Sequence, residues 1–387
     1  MIKSIYVDAN GTYPVTPAHY DAVAASLKSV DGNPSSIHAP GRNAKIALED
    51  ARTAVARLIG ATSNEIIFTS GATEANNFAL TGAINVARQE YPVPRVIVTA
   101  TEHAAVLETA RALSERGLCD LKIAPVLATG QLDLSALEQL ITPNTAVVSY
   151  LAANNETGVV LPTAEIASRI RKLNSKVHIH ADAVQLLGKS DLSWLAKSEI
   201  DSAAFSAHKI GGYKGIGALY LRRGKKLSPL VTGGGQERGR RAGTENMPGI
   251  VSFGIRAREL LGELPISVAN MSAARDEFVA KLRLIPGVVI HGHESERLPN
   301  TVNFHIDGVA GDDILLNFDL ANIYASSGSA CSSSVARPSH VLTAMGYSEW
   351  VSLNSVRVSF TAAAELSHVS EIIEVINQVR IRSIHPK

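Results

Sequence analysis

Short apolar runs alternate with segments of helical period across the first half of the chain, and that alternation leaves few folds open. Residues 65–69, 95–99, 120–124 and 146–151 have the length and composition of strands, while 75–88, 105–116 and 134–140 between them read as helices. Alternation of this kind predicts a parallel sheet covered on both faces, joined by right-handed crossovers. In such a sheet the ligand lies at the carboxyl ends of the strands.

The flanking segments fit around that sheet. Residues 5–7 read as a short strand, and Thr16-Pro17 opens a helix to about Leu27, with Thr16 as the cap and Pro17 in the first turn. From about Gly41 to Leu58, Ala44, Leu48, Ala51, Val55 and Leu58 recur at helical spacing. A helical run over 250–261 leads out of the sheet region. Strands near 288–290 and 301–305 and helices near 312–318 and 369–380 then read as a smaller α+β domain.

A length of 387 residues suits two or three domains. Lys plus Arg number 37 against 36 Asp plus Glu, so the total charge argues for no nucleic-acid or membrane partner and favours a small molecule or a protein. The two cysteines, Cys119 and Cys331, form neither a disulfide framework nor a zinc motif, and no metal site is expected. Free thiols, a start without a long apolar stretch and the lack of a membrane-length run point to the cytoplasm.

Chemistry concentrates at strand ends. Lys209 follows the apolar stretch 200–205 through Ser206-Ala207-His208 and runs into Gly211-Gly212. Glycines let backbone approach a ligand, and a lysine can form a Schiff base with a carbonyl; a surface lysine before a hairpin has the same local sequence. Upstream, His178-Ile179-His180-Ala181-Asp182 ends an apolar run in a carboxylate, which alone also reads as a helix cap. A lysine for an aldehyde and an acid for a pyridine nitrogen are the two groups that pyridoxal 5'-phosphate requires. With them, Gly71, Ala72 and Thr73, at a turn between strand and helix, read as the first phosphate contacts, because the first amides of a helix lack partners.

Seven segments in order carry a resemblance: Thr69-Ser70-Gly71-Ala72-Thr73-Glu74, Thr101-Glu102-His103, Asn154-Asn155-Glu156-Thr157-Gly158, Asp182-Ala183-Val184-Gln185, Ser206-Ala207-His208-Lys209, Arg241-Ala242-Gly243-Thr244 and Ser326-Ser327-Gly328-Ser329-Ala330-Cys331. The chain resembles the class V aminotransferase superfamily from about Tyr6 to Phe360, and within it the cysteine desulfurases of the iron-sulfur cluster type. The resemblance implies an α/β fold, fold type I of the pyridoxal phosphate enzymes. Its large domain, 14–257, would hold a mostly parallel seven-stranded sheet between helices. A smaller α+β domain would be made of 1–13 and 258–387.

The same resemblance implies roles. His103 would stack on the cofactor ring, Asn155 and Gln185 would bond its 3-oxygen, and Ser206 and His208 would join the phosphate. Thr244 would reach the phosphate of a neighbouring subunit in a homodimer. Asn10, Asn155 and Arg357 would meet the substrate, with Arg357 taking its carboxylate as a bidentate cation does. The substrate would be L-cysteine, the product L-alanine, and the sulfur would pass to an acceptor protein such as an iron-sulfur scaffold.

Cys331 has a basis of its own. It stands in Ser326-Ser327-Gly328-Ser329-Ala330-Cys331-Ser332-Ser333-Ser334, a small and polar loop at about 324–338 with little to bury a thiol against. A thiolate on such a loop suits a carrier of persulfide sulfur. Cys119 sits beside Leu118 and Leu121 and reads as a packed thiol. Other class V reactions, selenocysteine cleavage among them, use the same cofactor residues. A weakly active binding subunit is a further reading, since Asn10-Gly11-Thr12-Tyr13-Pro14 departs from the family's Asn-Ala-Thr-Thr-Pro. Tyr13 is expected either in the substrate channel or against a dimer partner.

Overall fold

The structure, a computed structural model, describes residues 4–328 and 337–384. Cys331 and the serines that follow it lie outside the described residues.

Along the chain β1 (Ile5–Tyr6), α1 (Pro17–Leu27) and α2 (Ala39–Leu58) precede the main sheet. Its elements are β2 (Ile66–Thr69), α3 (Ala72–Ala87), β3 (Arg95–Thr99), α4 (Ala104–Glu115), β4 (Asp120–Ala124), α5 (Leu134–Leu140), β5 (Thr145–Leu151), α6 (Thr163–Leu173), β6 (His178–Asp182), β7 (Ser202–Ser206) and β8 (Gly217–Leu221). The strands form one seven-stranded sheet in the order β2-β8-β7-β6-β5-β3-β4. The pairs from β7 to β4 are parallel, and β8 runs antiparallel to both β2 and β7. Ile97, Val98, Val147, Val148, Ile179 and Phe205 are wholly buried, as strands covered on both faces require.

Local signals explain the helix starts. Thr16 Oγ1 accepts the His19 N–H, and Pro17 occupies the first turn of α1. Helix α2 begins at Ala39, two residues ahead of the sequence expectation, because His38 Nδ1 accepts the Gly41 N–H and supplies the cap.

After the short helical turn α7 (Gln236–Gly239) comes α8 (Met247–Leu282), 36 residues long. Sequence alone predicts an end at Leu261, ahead of Gly262 and Pro265. The helix continues instead, and the reason is exposure. Leu261, Gly262, Glu263, Pro265 and Ile266 face solvent, so the carbonyl that Pro265 leaves without an N–H donor is not stranded in the core. The buried residues on either side, Phe253 to Leu260 and Met271 to Leu282, hold both halves in place.

Beyond α8 lie β9 (Val288–Ile290), β10 (Thr301–Ile306), α9 (Gly311–Leu320), β11 (Ile323–Tyr324), β12 (Ser326–Ser327), α10 (His340–Ala344), α11 (Glu349–Asn354), β13 (Val356–Ser359) and α12 (Leu366–Ile384). The order β12-β13-β10-β9 makes a second, antiparallel sheet. A separate core gathers Phe278, Phe304, Phe318, Val358 and Ile376 with Ile5 and Val7 from the start of the chain. Strand β1 pairs in parallel with β11, which brings the Asp8-to-Tyr13 segment across to the carboxyl ends of the main sheet.

Candidate functional site

The turn after β2 is built to receive an anion. Thr69 Oγ1 donates to the Gly71 carbonyl at 2.9 Å, and Gly71 precedes α3 with no side chain capping the helix. The first amides of α3 are therefore left without a side-chain cap. A β-carbon on Gly217 would stand 2.6 Å from the Gly71 carbonyl carbon, so only glycine lets β8 lie this close to the turn. Glu74 accepts the Ser70 N–H at 2.8 Å and pairs with Arg241 at 2.8 Å. Ser206 ends β7 and is buried. His208 Nδ1 meets Thr12 Oγ1 at 3.0 Å, and burial, followed by the nearby Lys209 and Lys214 charges, pushes His208 down to about 4.

Asp182 ends β6 and is almost wholly buried. Its Oδ2 accepts from Asn76 Nδ2 at 2.7 Å, and its Oδ1 from the Val184 N–H at 3.2 Å. Behind Asn76 runs a chain of side chains. His180 Nε2 lies 2.8 Å from Asn76 Oδ1, His180 Nδ1 lies 2.8 Å from Ser202 Oγ, and His178 Nε2 lies 2.7 Å from the same hydroxyl. Burial lowers His178 to about 4 and His180 to about 3. With both rings neutral, one assignment satisfies every partner: His178 donates to Ser202, Ser202 donates to His180 Nδ1, and His180 donates to Asn76. Asn76 is thereby fixed with its amino group toward Asp182.

A second cluster centres on Asn10. Its carbonyl accepts from Lys209 Nζ at 2.7 Å and from Gln185 Nε2 at 3.2 Å, and Lys209 Nζ also reaches the Gly11 carbonyl at 2.7 Å. Asn10 Oδ1 accepts from Lys189 Nζ at 3.0 Å, and Asn10 Nδ2 donates to the Asn155 carbonyl at 3.1 Å and to Thr301 Oγ1 at 2.8 Å. Arg357, on β13 of the second sheet, donates to that same Asn155 carbonyl at 3.2 Å and pairs with Asp8 at 2.6 Å. It is 2% exposed, and among the described residues its Nε has no partner. A buried guanidinium with a donor left over suits a ligand carboxylate.

His103 caps α4, its Nδ1 accepting the Ala105 N–H at 3.1 Å. Beside it Glu102 is wholly buried. Burial, with the Asp182 charge second, holds its carboxyl well above the usual range, and Ser149 donates to it at 2.7 Å. Glu156, next to Asn155, accepts from the Ser339 hydroxyl; burial pushes its carboxyl up to about 7.

Of two further expected residues, Thr244 stands apart and Tyr13 borders the void beside Lys209. Thr244 is exposed, on a loop fastened to this chain by the buried pair of Glu237 with Arg52. Tyr13 turns its hydroxyl to the Ala362 N–H at 2.9 Å. Asp8, Asn76, Glu102, Glu156, His180 and Lys189 also belong to the site, and sequence alone assigns them no role. Asn76, Glu102, Glu156 and His180 stand in or beside the motifs above, and Asp8 and Lys189 carry no local signature.

Residues 5–372 match the family described as Aminotransferase class-V. The chain belongs to that family. It is similar to a cysteine desulfurase of Trichormus azollae, with 41% identity over 99% of this chain and 94% of the relative. Among solved structures it is similar to a NifS-like protein at 34% identity, with a TM-score of 0.90 over 98% of this chain and 100% of the other. It also resembles SspA, solved in complex with cysteine, at 31% identity, with a TM-score of 0.81 over 93% of this chain and 99% of the other.

Class V aminotransferases depend on pyridoxal phosphate. The donor set here fits that group: an uncapped helix end at Gly71, a buried carboxylate at Asp182 and an amine at Lys209 match a phosphate, a pyridine nitrogen and an aldehyde. No helix among the described residues is long and apolar enough to cross a membrane, and among them no cluster of side chains suits a metal ion.

Proposed function

We propose that this protein removes sulfur from L-cysteine, releasing L-alanine and leaving the sulfur as a persulfide on Cys331. The observation that carries the reading is that Lys209 and Arg357 are joined through Asn10 and Asn155. The lysine sits on the Asn10 and Gly11 carbonyls, and the guanidinium sits on the Asn155 carbonyl to which Asn10 also donates. An amine for an aldehyde and a cation for a carboxylate are thus held by one hydrogen-bonded network, as an amino acid substrate requires. The named relative is a cysteine desulfurase, which supports cysteine as that substrate.

Each residue then has a task. Arg357 exchanges Asp8 for the substrate carboxylate, and Asn10 and Asn155 hold the turn on which it rests. Gly71, Ala72, Thr73, Ser206 and His208 would hold the cofactor phosphate, Asp182 its ring nitrogen, Gln185 and Asn155 its 3-oxygen, and His103 its ring face. When bound, the cofactor supplies an electron sink for the carbon that loses its proton. Lys209 takes that proton once its amine is released. Cys331 Sγ bonds to the substrate sulfur as the carbon–sulfur bond breaks, its electron pair passing to carbon.

The chain divides in this reading at 14–257 and at 1–13 with 258–387, and α8 crosses the boundary. Two copies form a homodimer in which Thr244 serves the neighbouring site, and the sulfur leaves to a protein acceptor such as an iron-sulfur scaffold. The test is incubation of the purified, cofactor-loaded protein with L-cysteine and a thiol reductant, measuring alanine and sulfide together. Equal amounts of both are expected. Pyruvate in place of alanine, or no consumption of cysteine, overturns the proposal.

A further inference from the structure

A second lysine stands inside the site. Lys189 is 4% exposed, and among the described residues its two hydrogen-bond partners are neutral amide oxygens, Gln185 Oε1 at 2.5 Å and Asn10 Oδ1 at 3.0 Å. A buried ammonium ordinarily requires a carboxylate. The groups facing Lys189 are cations instead: Lys209 from the turn after β7, which binds the carbonyl of the same Asn10, and Arg357 from β13, whose partner Asp8 is already engaged. Tyr13 and, from α8, Arg256 border the small void that Lys189 and Lys209 also line. Arg256 is held by Glu259 at 2.9 Å and Glu263 at 3.0 Å. Burial first, then the Lys209 charge, then the Arg357 charge, drive the Lys189 amine well below its ordinary value.

We propose that Lys189 is a positioning residue that shares one proton with Lys209, taking up the positive charge whenever the Lys209 nitrogen must be uncharged. The inference rests on Lys209 being the residue that carries the cofactor. Condensation with the aldehyde needs a lone pair on Lys209 Nζ. The carbon–nitrogen bond forms, the aldehyde oxygen departs as water with the two amine protons, and nothing is oxidised or reduced. A lysine that must first lose a proton in a buried site does so more readily beside a second amine. Lys189 holds Gln185 as well: Oε1 accepts from Lys189 while Nε2 donates to Asn10. Moving charge between the lysines therefore leaves the amide orientation in place.

The test is a pH titration of the visible band of the protein loaded with pyridoxal phosphate, in wild type, Lys189→Met and Lys189→Arg. The band reports protonation of the nitrogen that Lys209 contributes. Lys189→Met removes the alternative proton site, so the midpoint rises by about one pH unit or more. Lys189→Arg fixes a cation there, so its midpoint falls at or below the wild-type value. The same order is expected for the pH at which Lys209 of the cofactor-free chain reacts with an amine-acylating reagent, read peptide by peptide in a mass spectrometer. A midpoint in Lys189→Met equal to wild type, or one above wild type in Lys189→Arg, overturns the proposal. The arginine variant decides the matter if the methionine variant does not fold. Should borohydride reduction place the cofactor on another lysine, the acylation experiment still reads the effect of Lys189 on Lys209, so the two failures are distinguishable.

Discussion

Asn76 Nδ2 lies 2.7 Å from Asp182 Oδ2, and His180, 2.8 Å from Asn76 Oδ1, decides which way that amide faces. A buried carboxylate keeps its place and its charge only while its donors are supplied. Replacing Asn76 with leucine keeps the volume but removes both bonds. A buried charged group losing a donor costs about 1–3 kcal/mol, and roughly tenfold weaker cofactor binding follows. Equilibrium dialysis of Asn76→Leu against pyridoxal phosphate measures it, with unchanged affinity as the contrary result.

Glu156 makes stability depend on pH. Burial pushes its carboxyl from 4.5 up to about 7, against Ser339, Arg357 and His103, which pull it down. The folded chain thus binds a proton that the unfolded chain has released, so the contribution is fully present below 4.5 and is lost as pH rises toward 7. A displacement of that size corresponds to on the order of 3 kcal/mol. Glu156→Gln mimics the protonated form. Urea unfolding at pH 5 and pH 8 should give this variant a smaller difference between the two conditions than wild type.

Arg52 and Glu237 form an ion pair at 2.6 Å with both side chains buried, and Glu237 also accepts the Phe68 N–H at 2.8 Å. Glu237 and Arg238 hold positive φ values of 47° and 59°, a conformation that this anchoring sustains. Removing one partner of a buried pair costs about 3–5 kcal/mol. Arg52→Met is therefore expected to lower the urea midpoint sharply. Arg52→Met with Glu237→Leu, which leaves no charge stranded, should recover part of the loss.

Tyr13 fills the space beside Gly211 and accepts the Ala362 N–H at 2.9 Å, tying the N-terminal segment to the strand end after β13. Tyr13→Phe is expected to cost about 1 kcal/mol of stability, the worth of one hydrogen bond, and to leave KM for L-cysteine unchanged. Steady-state kinetics beside thermal unfolding separate this role from one in the substrate channel. A KM shift with unaltered stability contradicts it.

The sheet was legible because β2, β3, β4 and β5 are short apolar runs with helical period between them, and burial on both faces imposes that composition. Strand β8 was not, since it follows a glycine-dense stretch that reads as loop, and its first residue, Gly217, serves the close approach to Gly71. Helix α8 was misread at its middle, where Pro265 looks like a stop but faces water. Lys209 and Asp182 were legible because chemistry at strand ends leaves polar residues after apolar runs. Lys189 was not, nor was the role of His180 within its segment, because a lysine or histidine buried by tertiary contacts looks in sequence like any other.

Lys189 and Lys209 both hydrogen-bond to Asn10, one at the side-chain oxygen and one at the backbone carbonyl, so the account must name which amine carries the cofactor. Borohydride reduction of the loaded protein, followed by proteolysis and mass spectrometry, names it directly. The account predicts a single reduced pyridoxyl adduct on Lys209, absent from Lys209→Ala. An adduct on Lys189, or on any other lysine, would contradict it.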